Sequence, residues 1–194
     1  MIVPGGKAGP ILSRRAALGG GALFATTGSF RSAWSAPGIP DVTLVDQDGV
    51  AWPLRALLEP GVPTVISFFF VLCSTICPPQ TATLRELRDE LSARRRPGPD
   101  PLLVSIALDP LGDTPPAIRD YAKRFEVTLG RAQGWMMLTG QRAALLPVWR
   151  AFEAPVDRPD THAPVLWLGR NGAWRRVSAL SPAATLADML DRPG

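Results

Sequence analysis

Histidine occurs once in this 194-residue chain, at position 162, and cysteine only twice, at 73 and 77. That scarcity limits the metal chemistry open to it. A structural zinc site wants four protein ligands, and the chain offers no fourth cysteine or histidine. Acidic residues are missing from the first 36 positions, which hold Lys7, Arg14, Arg15 and Arg31. Beyond them 17 basic residues face 17 acidic ones, so the formal net charge of +4 belongs to the N-terminal stretch. A neutral remainder with scattered arginines has no electrostatic reason to hold a phosphate backbone, and nucleic acid is excluded as a partner. The apolar stretch near the N-terminus falls far short of the roughly 20 residues a membrane span needs, so no transmembrane anchor is expected.

Residues 1–36 read as an export signal. Ser13-Arg14-Arg15-Ala16-Ala17-Leu18 resembles the twin-arginine pattern, with Ala17 where that pattern favours phenylalanine. A weakly apolar segment follows from Ala16 to Phe24, and small residues around Ala33-Trp34-Ser35-Ala36 suit a signal peptidase. The competing reading is a disordered cytosolic tail. The export reading makes residues 37–194 one soluble domain, periplasmic or otherwise extracytoplasmic, and nothing in it demands more than a monomer. Proteins that take the twin-arginine route fold in the reducing cytoplasm, so the thiols would arrive reduced and meet an oxidising compartment afterwards.

In that domain Val42–Val45, the turn Asp46-Gln-Asp-Gly49 and Val50–Trp52 read as a hairpin. Leu54–Leu58 is a helical turn. Val62–Leu72 is continuously apolar, as a strand buried on both faces would be. Pro78 and Pro79 suit the first turn of a helix running to about Arg95, with Leu84, Leu87 and Leu91 on its inner side. A second buried strand is predicted over Leu102–Leu108. Asp113-Thr114-Pro115-Pro116 opens a helix whose inner face is Ile118, Tyr121, Ala122 and Phe125.

Trp135–Leu138 is a short strand, and Gly140 leads into a helix with Leu145, Trp149 and Phe152. The polar loop Ala154–Ala163 carries His162. A hairpin, Val165–Leu168 and Trp174–Ala179 around Asn171-Gly172, and a helix over Pro182–Leu190 complete the chain. This order fits an α/β sandwich, a central mixed sheet with helices on both faces. The run Arg94-Arg95-Arg96 reads as cations at a helix C-terminus, and the tryptophans as packing.

The cysteines stand as Cys73-Ser-Thr-Ile-Cys77-Pro78, just past the run Val65–Leu72. In such sheets chemistry gathers beyond the carboxyl ends of the strands. Four-residue spacing sets the thiols one helical turn apart, where a helix N-terminus favours thiolate. Two thiolates and an imidazole form a soft set that suits Cu(I), or Cu(II) with an added oxygen ligand. The same thiols could close a disulfide, and a lone histidine is usually a surface or capping residue. Met136 and Met137 point to opposite faces of their strand and read as packing.

In order and spacing these features resemble the SCO/SenC family, thioredoxin-like proteins that handle copper during assembly of the dinuclear copper centre of cytochrome c oxidase. The resemblance runs from about Pro40 to Leu190. It rests on Asp41–Gly49, Cys73-x-x-x-Cys77-Pro78, Val104–Pro110, Asp113-Thr114-Pro115 with Tyr121-Ala122 and Phe125, Trp135–Gly140, and Asp160-Thr161-His162. It implies a thioredoxin-like fold and copper bound by Cys73, Cys77 and His162, with Asp160 near an acidic family position. The implied partner is a copper acceptor protein, the oxidase subunit carrying the dinuclear centre. Ser-Thr-Ile between the cysteines, Pro164 after the histidine and a cleavable-looking signal instead of a membrane anchor depart from the family pattern.

Two functions follow as expectations. One is a copper metallochaperone using Cys73, Cys77 and His162. The other is a thiol–disulfide reductase acting on the cysteine pair of a copper acceptor, with Cys73 attacking and Cys77 resolving. Against the second, dithiol oxidoreductases of this fold mostly place two residues between the cysteines. A peroxidase lacks its surrounding pattern, although Thr75 is near. A purely structural disulfide closing so short a loop would add little stability.

Overall fold

The structure is a computed structural model, and it describes residues 37–58, 61–96, 98–154 and 164–191. The predicted signal in 1–36 lies outside the described residues. So do 155–163, and with them Asp160 and His162.

Asp46 and Gly49 build the first turn. The Asp46 amide donates to Val50 O at 2.9 Å, and Gly49 takes φ +79°. Asp46 is buried, and its carboxylate accepts the amides of Asp48 and Val50 and the indole N–H of Trp52. The turn joins β1 (Thr43–Asp46) to β2 (Ala51–Pro53), and α1 (Leu54–Leu57) follows at once.

The centre of the sheet is β3 (Thr64–Phe69) beside β4 (Leu102–Ala107), parallel, with Thr64 opposite Leu102 and Phe69 opposite Ala107. All six residues of each strand are buried, which explains their largely apolar character. On one side β5 (Trp135–Thr139) runs parallel to β4 and is joined by β1. On the other, β6 (Val165–Arg170) and β7 (Ala173–Ser178) add an antiparallel hairpin to β3. The order is β2-β1-β5-β4-β3-β6-β7, a mixed sheet as predicted.

Alternate residues of the strands serve opposite cores. Val65, Phe69, Leu103 and Ala107 face α2 (Cys77–Ala93), α3 (Pro115–Arg124) and α5 (Ala183–Asp191). Ile66, Phe68, Val104 and Ile106 face α1 and α4 (Arg142–Ala151). Helices thus cover both faces, and the thioredoxin-like α/β architecture holds. Met136 and Met137 fall on opposite sides, both buried.

Of the boundaries that move from expectation, two have a cause visible in the backbone. The strand predicted to Leu72 ends at Phe69, because the amide of Val71 turns away to the carboxylate of Asp113 at 2.8 Å. The helix predicted to Arg95 ends at Ala93, where Arg94 takes an extended conformation, φ −84° and ψ 129°. Among the described residues no helix is long and apolar enough to cross a membrane.

Candidate metal centre

The carboxyl ends of parallel β3 and β4 lie at one end of the sheet, and the segment 70–76 bridges from β3 to α2 there. Cys73 closes a tight turn by donating its amide to Phe70 O at 3.1 Å. Cys77 is the first residue of α2 and is fully buried, while Cys73 is 7% exposed. No disulfide joins them, and both stand as thiols. The amide of Cys77 donates to Cys73 Sγ at 3.3 Å. Pro78 and Pro79 have no N–H, so the leading edge of α2 has few donors and this one goes to sulfur. The predicted juxtaposition of the thiols at a helix N-terminus is therefore present.

The expectation that the helix favours thiolate on the pair needs correction. It holds for Cys73. Burial raises that thiol's pKa, but hydrogen bonds from the Cys77 thiol and from the backbone at Cys77, Thr75 and Ile76 outweigh burial and leave it lowered. Cys77 goes the other way, pushed far up by burial and by its hydrogen bond to Cys73, with Asp113 adding repulsion. One site thus presents a more acidic thiol beside a less acidic one. Thr75 Oγ1 lies 3.9 Å from Cys73 Sγ, a loose contact.

Other elements hold this segment in place, and sequence reasoning missed most of them. Asp113 opens α3 as predicted, yet Thr114 is the helix cap, accepting from the Ala117 amide, and Asp113 is wholly buried. Its carboxylate accepts the amides of Val71 (2.8 Å) and Asp109 (2.9 Å), and burial raises its pKa to about 6. The available sequence signal was a pair of aspartates, Asp109 and Asp113, bracketing the turn after a buried strand.

From α3, Arg124 donates to Val71 O at 3.0 Å and lies 5.4 Å over the Tyr121 ring. From α2, Gln80 donates to Phe68 O at 2.7 Å. Tyr121 shares a 2.7 Å hydrogen bond with Thr81, and burial pushes its phenol well up. Leu72 and Leu111 are 77% and 89% exposed, one in the cysteine segment and one in the turn before Asp113.

Of the three predicted ligands, Cys73 and Cys77 stand together, and His162 lies outside the described residues. Among the described residues no three histidine, cysteine or acidic side chains gather as a metal site. The donor set among the described residues is therefore two soft sulfurs, which fits a thiophilic ion such as Cu(I) and leaves a third ligand to be supplied.

The SCO1/SenC family model matches residues 36–166. The chain is similar to the SCO1 protein homolog of Bacillus subtilis, 29% identical over 120 residues covering 61% of this chain and 58% of that protein. It is also similar to a protein of Stutzerimonas stutzeri named as copper-binding, 30% identical over 117 residues covering 60% of this chain and 52% of that protein. The alignment thus spans just over half the length of these two relatives. In fold it resembles the crystal structure of Arabidopsis thaliana ScoI with copper bound, at a TM-score of 0.64 and 23% identity, covering 78% of this chain and 94% of that one.

Proposed function

The chain belongs to the SCO1/SenC family, and from that premise we propose that it is an exported copper metallochaperone. Cys73, Cys77 and His162 hold the metal and pass it by ligand exchange to an acceptor. In the family's pattern that acceptor is the oxidase subunit carrying the dinuclear copper centre, and the place of action is the periplasm, reached by the signal in 1–36. The observation that carries the reading is the Cys77 amide on Cys73 Sγ, which sets both sulfurs together at the N-terminus of α2. The copper-binding name of the Stutzerimonas relative and the copper in the Arabidopsis structure support the choice of cargo.

Copper is cargo here, and the protein's own groups do the work of capture. Cys73 enters as the more acidic thiol. Cys77 keeps its proton until the metal displaces it, so binding releases protons and strengthens as pH rises. His162 supplies the imidazole that two thiolates lack for a trigonal Cu(I) site, or part of a Cu(II) site with an oxygen ligand.

The test is metal content and affinity of the reduced protein loaded anaerobically with Cu(I), beside His162→Ala. One copper per chain is expected, with affinity lower by on the order of tenfold or more in the variant. Unchanged affinity in His162→Ala would remove that residue from the site, and no copper on fully reduced wild type would end the proposal.

A second reading is favoured by the opposite shifts of the two thiols. In a thiol–disulfide reductase, Cys73 thiolate attacks one sulfur of an acceptor disulfide and the other sulfur leaves as thiolate. Cys77 then loses its proton and displaces the acceptor, leaving a Cys73–Cys77 disulfide and a reduced acceptor pair. Iodoacetamide at neutral pH should label Cys73 well before Cys77. Equal labelling would count against this division of labour.

A further inference from the structure

Arg96 is the least satisfied charge in the described structure. Its side chain is only 9% exposed, and none of its three guanidinium nitrogens has a hydrogen-bond acceptor. Its ionic neighbour is Asp191, with Oδ1 3.3 Å from Nε. That carboxylate is shared, because its Oδ2 accepts from Arg94 at 2.9 Å. Arg94 also takes Glu90 and Asp188, so the acids nearby are already engaged. Burying a guanidinium without acceptors is unfavourable, and an acceptor from outside would relieve it.

There is room for one. Arg96 lines a cavity of about 300 Å³ together with Arg95, Arg170, Asp191, Pro63 and Pro99. Three arginines and a single acid thus line it. Arg170 is fixed to the wall, donating to Leu190 O at 2.9 Å and Asp191 O at 3.2 Å. Pro63 precedes β3 and Arg170 ends β6, so the cavity sits at the opposite end of β3 from the cysteine segment, roughly 20 Å away by strand rise. Copper and thiol chemistry make no use of it.

We propose that this cavity is an anion site that takes a tetrahedral oxyanion of the phosphate class, with Arg96 as the buried anchor and Arg95 and Arg170 at its sides. Guanidinium forks match the paired oxygens of such an ion. Free phosphate and an anionic lipid headgroup carry this same chemistry.

The experiment titrates the reduced, metal-free full chain with inorganic phosphate by calorimetry, at an ionic strength held constant with chloride. Saturable one-site binding is expected. Arg96→Met should weaken it by on the order of tenfold or more. That variant should also melt no lower than wild type in chloride, because it removes a buried charge that lacks an acceptor. Arg95→Gln alters an exposed residue and should leave the fold intact while lowering affinity several-fold. It decides the matter if Arg96→Met does not fold. Vesicles of phosphatidylglycerol, against phosphatidylcholine, separate the two sources: pelleting that requires Arg96 assigns the phosphate to lipid, and phosphate binding without pelleting assigns it to the free ion. No saturable phosphate binding with no Arg96-dependent pelleting, or variants that bind like wild type, overturns the proposal.

Discussion

Asp113 makes the two ends of its carboxylate answer to different segments, Val71 of the cysteine segment and Asp109 of the turn after β4. Those hydrogen bonds favour the ion, but burial opposes it more strongly and sets the pKa near 6, against 3.8 for the free acid. Between these values the folded protein keeps a proton that the unfolded chain has released. The stability this group contributes is therefore complete below about pH 4 and is lost as pH rises through about 6. The whole swing is on the order of 3 kcal/mol. Asp113→Asn cannot ionise, and it loses one amide acceptor, so it should start less stable and gain on wild type as pH rises. Urea unfolding of both proteins from about pH 4 to about pH 7 checks this. Two curves that stay parallel across the range would mean that Asp113 is ionised throughout. The pair Asp109 and Asp113 marks a turn after a buried strand, but nothing local announced the burial of Asp113. An aspartate before Thr-Pro-Pro looks like a helix opener, and its burial depends on a partner, Val71, 42 residues earlier in the chain.

Elements governed by local chemistry were legible. Asn171-Gly172 gave the β6–β7 hairpin, and both residues take positive φ, 52° and 78°, as a two-residue hairpin turn of this twist demands. Thr114-Pro115-Pro116 marked α3, and Leu84, Leu87 and Leu91 marked the buried side of α2. Pairings between distant segments were not legible. Ser67 on β3 and Ser105 on β4 break two apolar runs, yet they meet across the sheet at 2.8 Å, and Trp135 donates its indole N–H to Ser105 at 3.0 Å. Gly169 on β6 is a further case. A glycine inside a strand ordinarily weakens it, but this one is opposite Trp174, whose ring lies 2.4 Å from where a Cβ would stand. The same ring meets Phe152 edge-on at 5.1 Å, so it has little freedom to move aside. Gly169→Ala should therefore destabilise the protein by about 1–3 kcal/mol, the usual cost of overpacking. Denaturant unfolding followed by tryptophan emission reads this directly, and an unchanged midpoint would show the Trp174 ring free to shift.

Across the whole molecule, the cysteine segment is a short irregular bridge, and groups at α3 and on α2 hold it and the end of β3 that leads into it. Asp113 takes the Val71 amide, Arg124 on α3 takes the Val71 carbonyl, and Gln80 on α2 takes the Phe68 carbonyl. The two cysteines could be located from sequence because strand, bridge and helix are contiguous. The tethers could not, because they come from residues 12 to 53 positions away that the fold alone brings near. This division predicts a local response to losing one tether. Arg124→Ala leaves the Val71 carbonyl without its charged donor, a loss on the order of 1–3 kcal/mol where the donor is an ion. That loss should be felt first where the backbone depends on the bridge. The amides of Cys73 and Cys77, bonded to Phe70 O and Cys73 Sγ, should exchange hydrogen faster in the variant. The β6–β7 hairpin lies across β3 from that tether and should keep its protection. Hydrogen exchange by mass spectrometry on peptides covering 70–77 and 165–178 separates the cases. Faster exchange confined to the first peptide fits a tethered bridge. Equal acceleration in both would make Arg124 a contributor to global stability alone, and no change in either would remove it from the set of tethers.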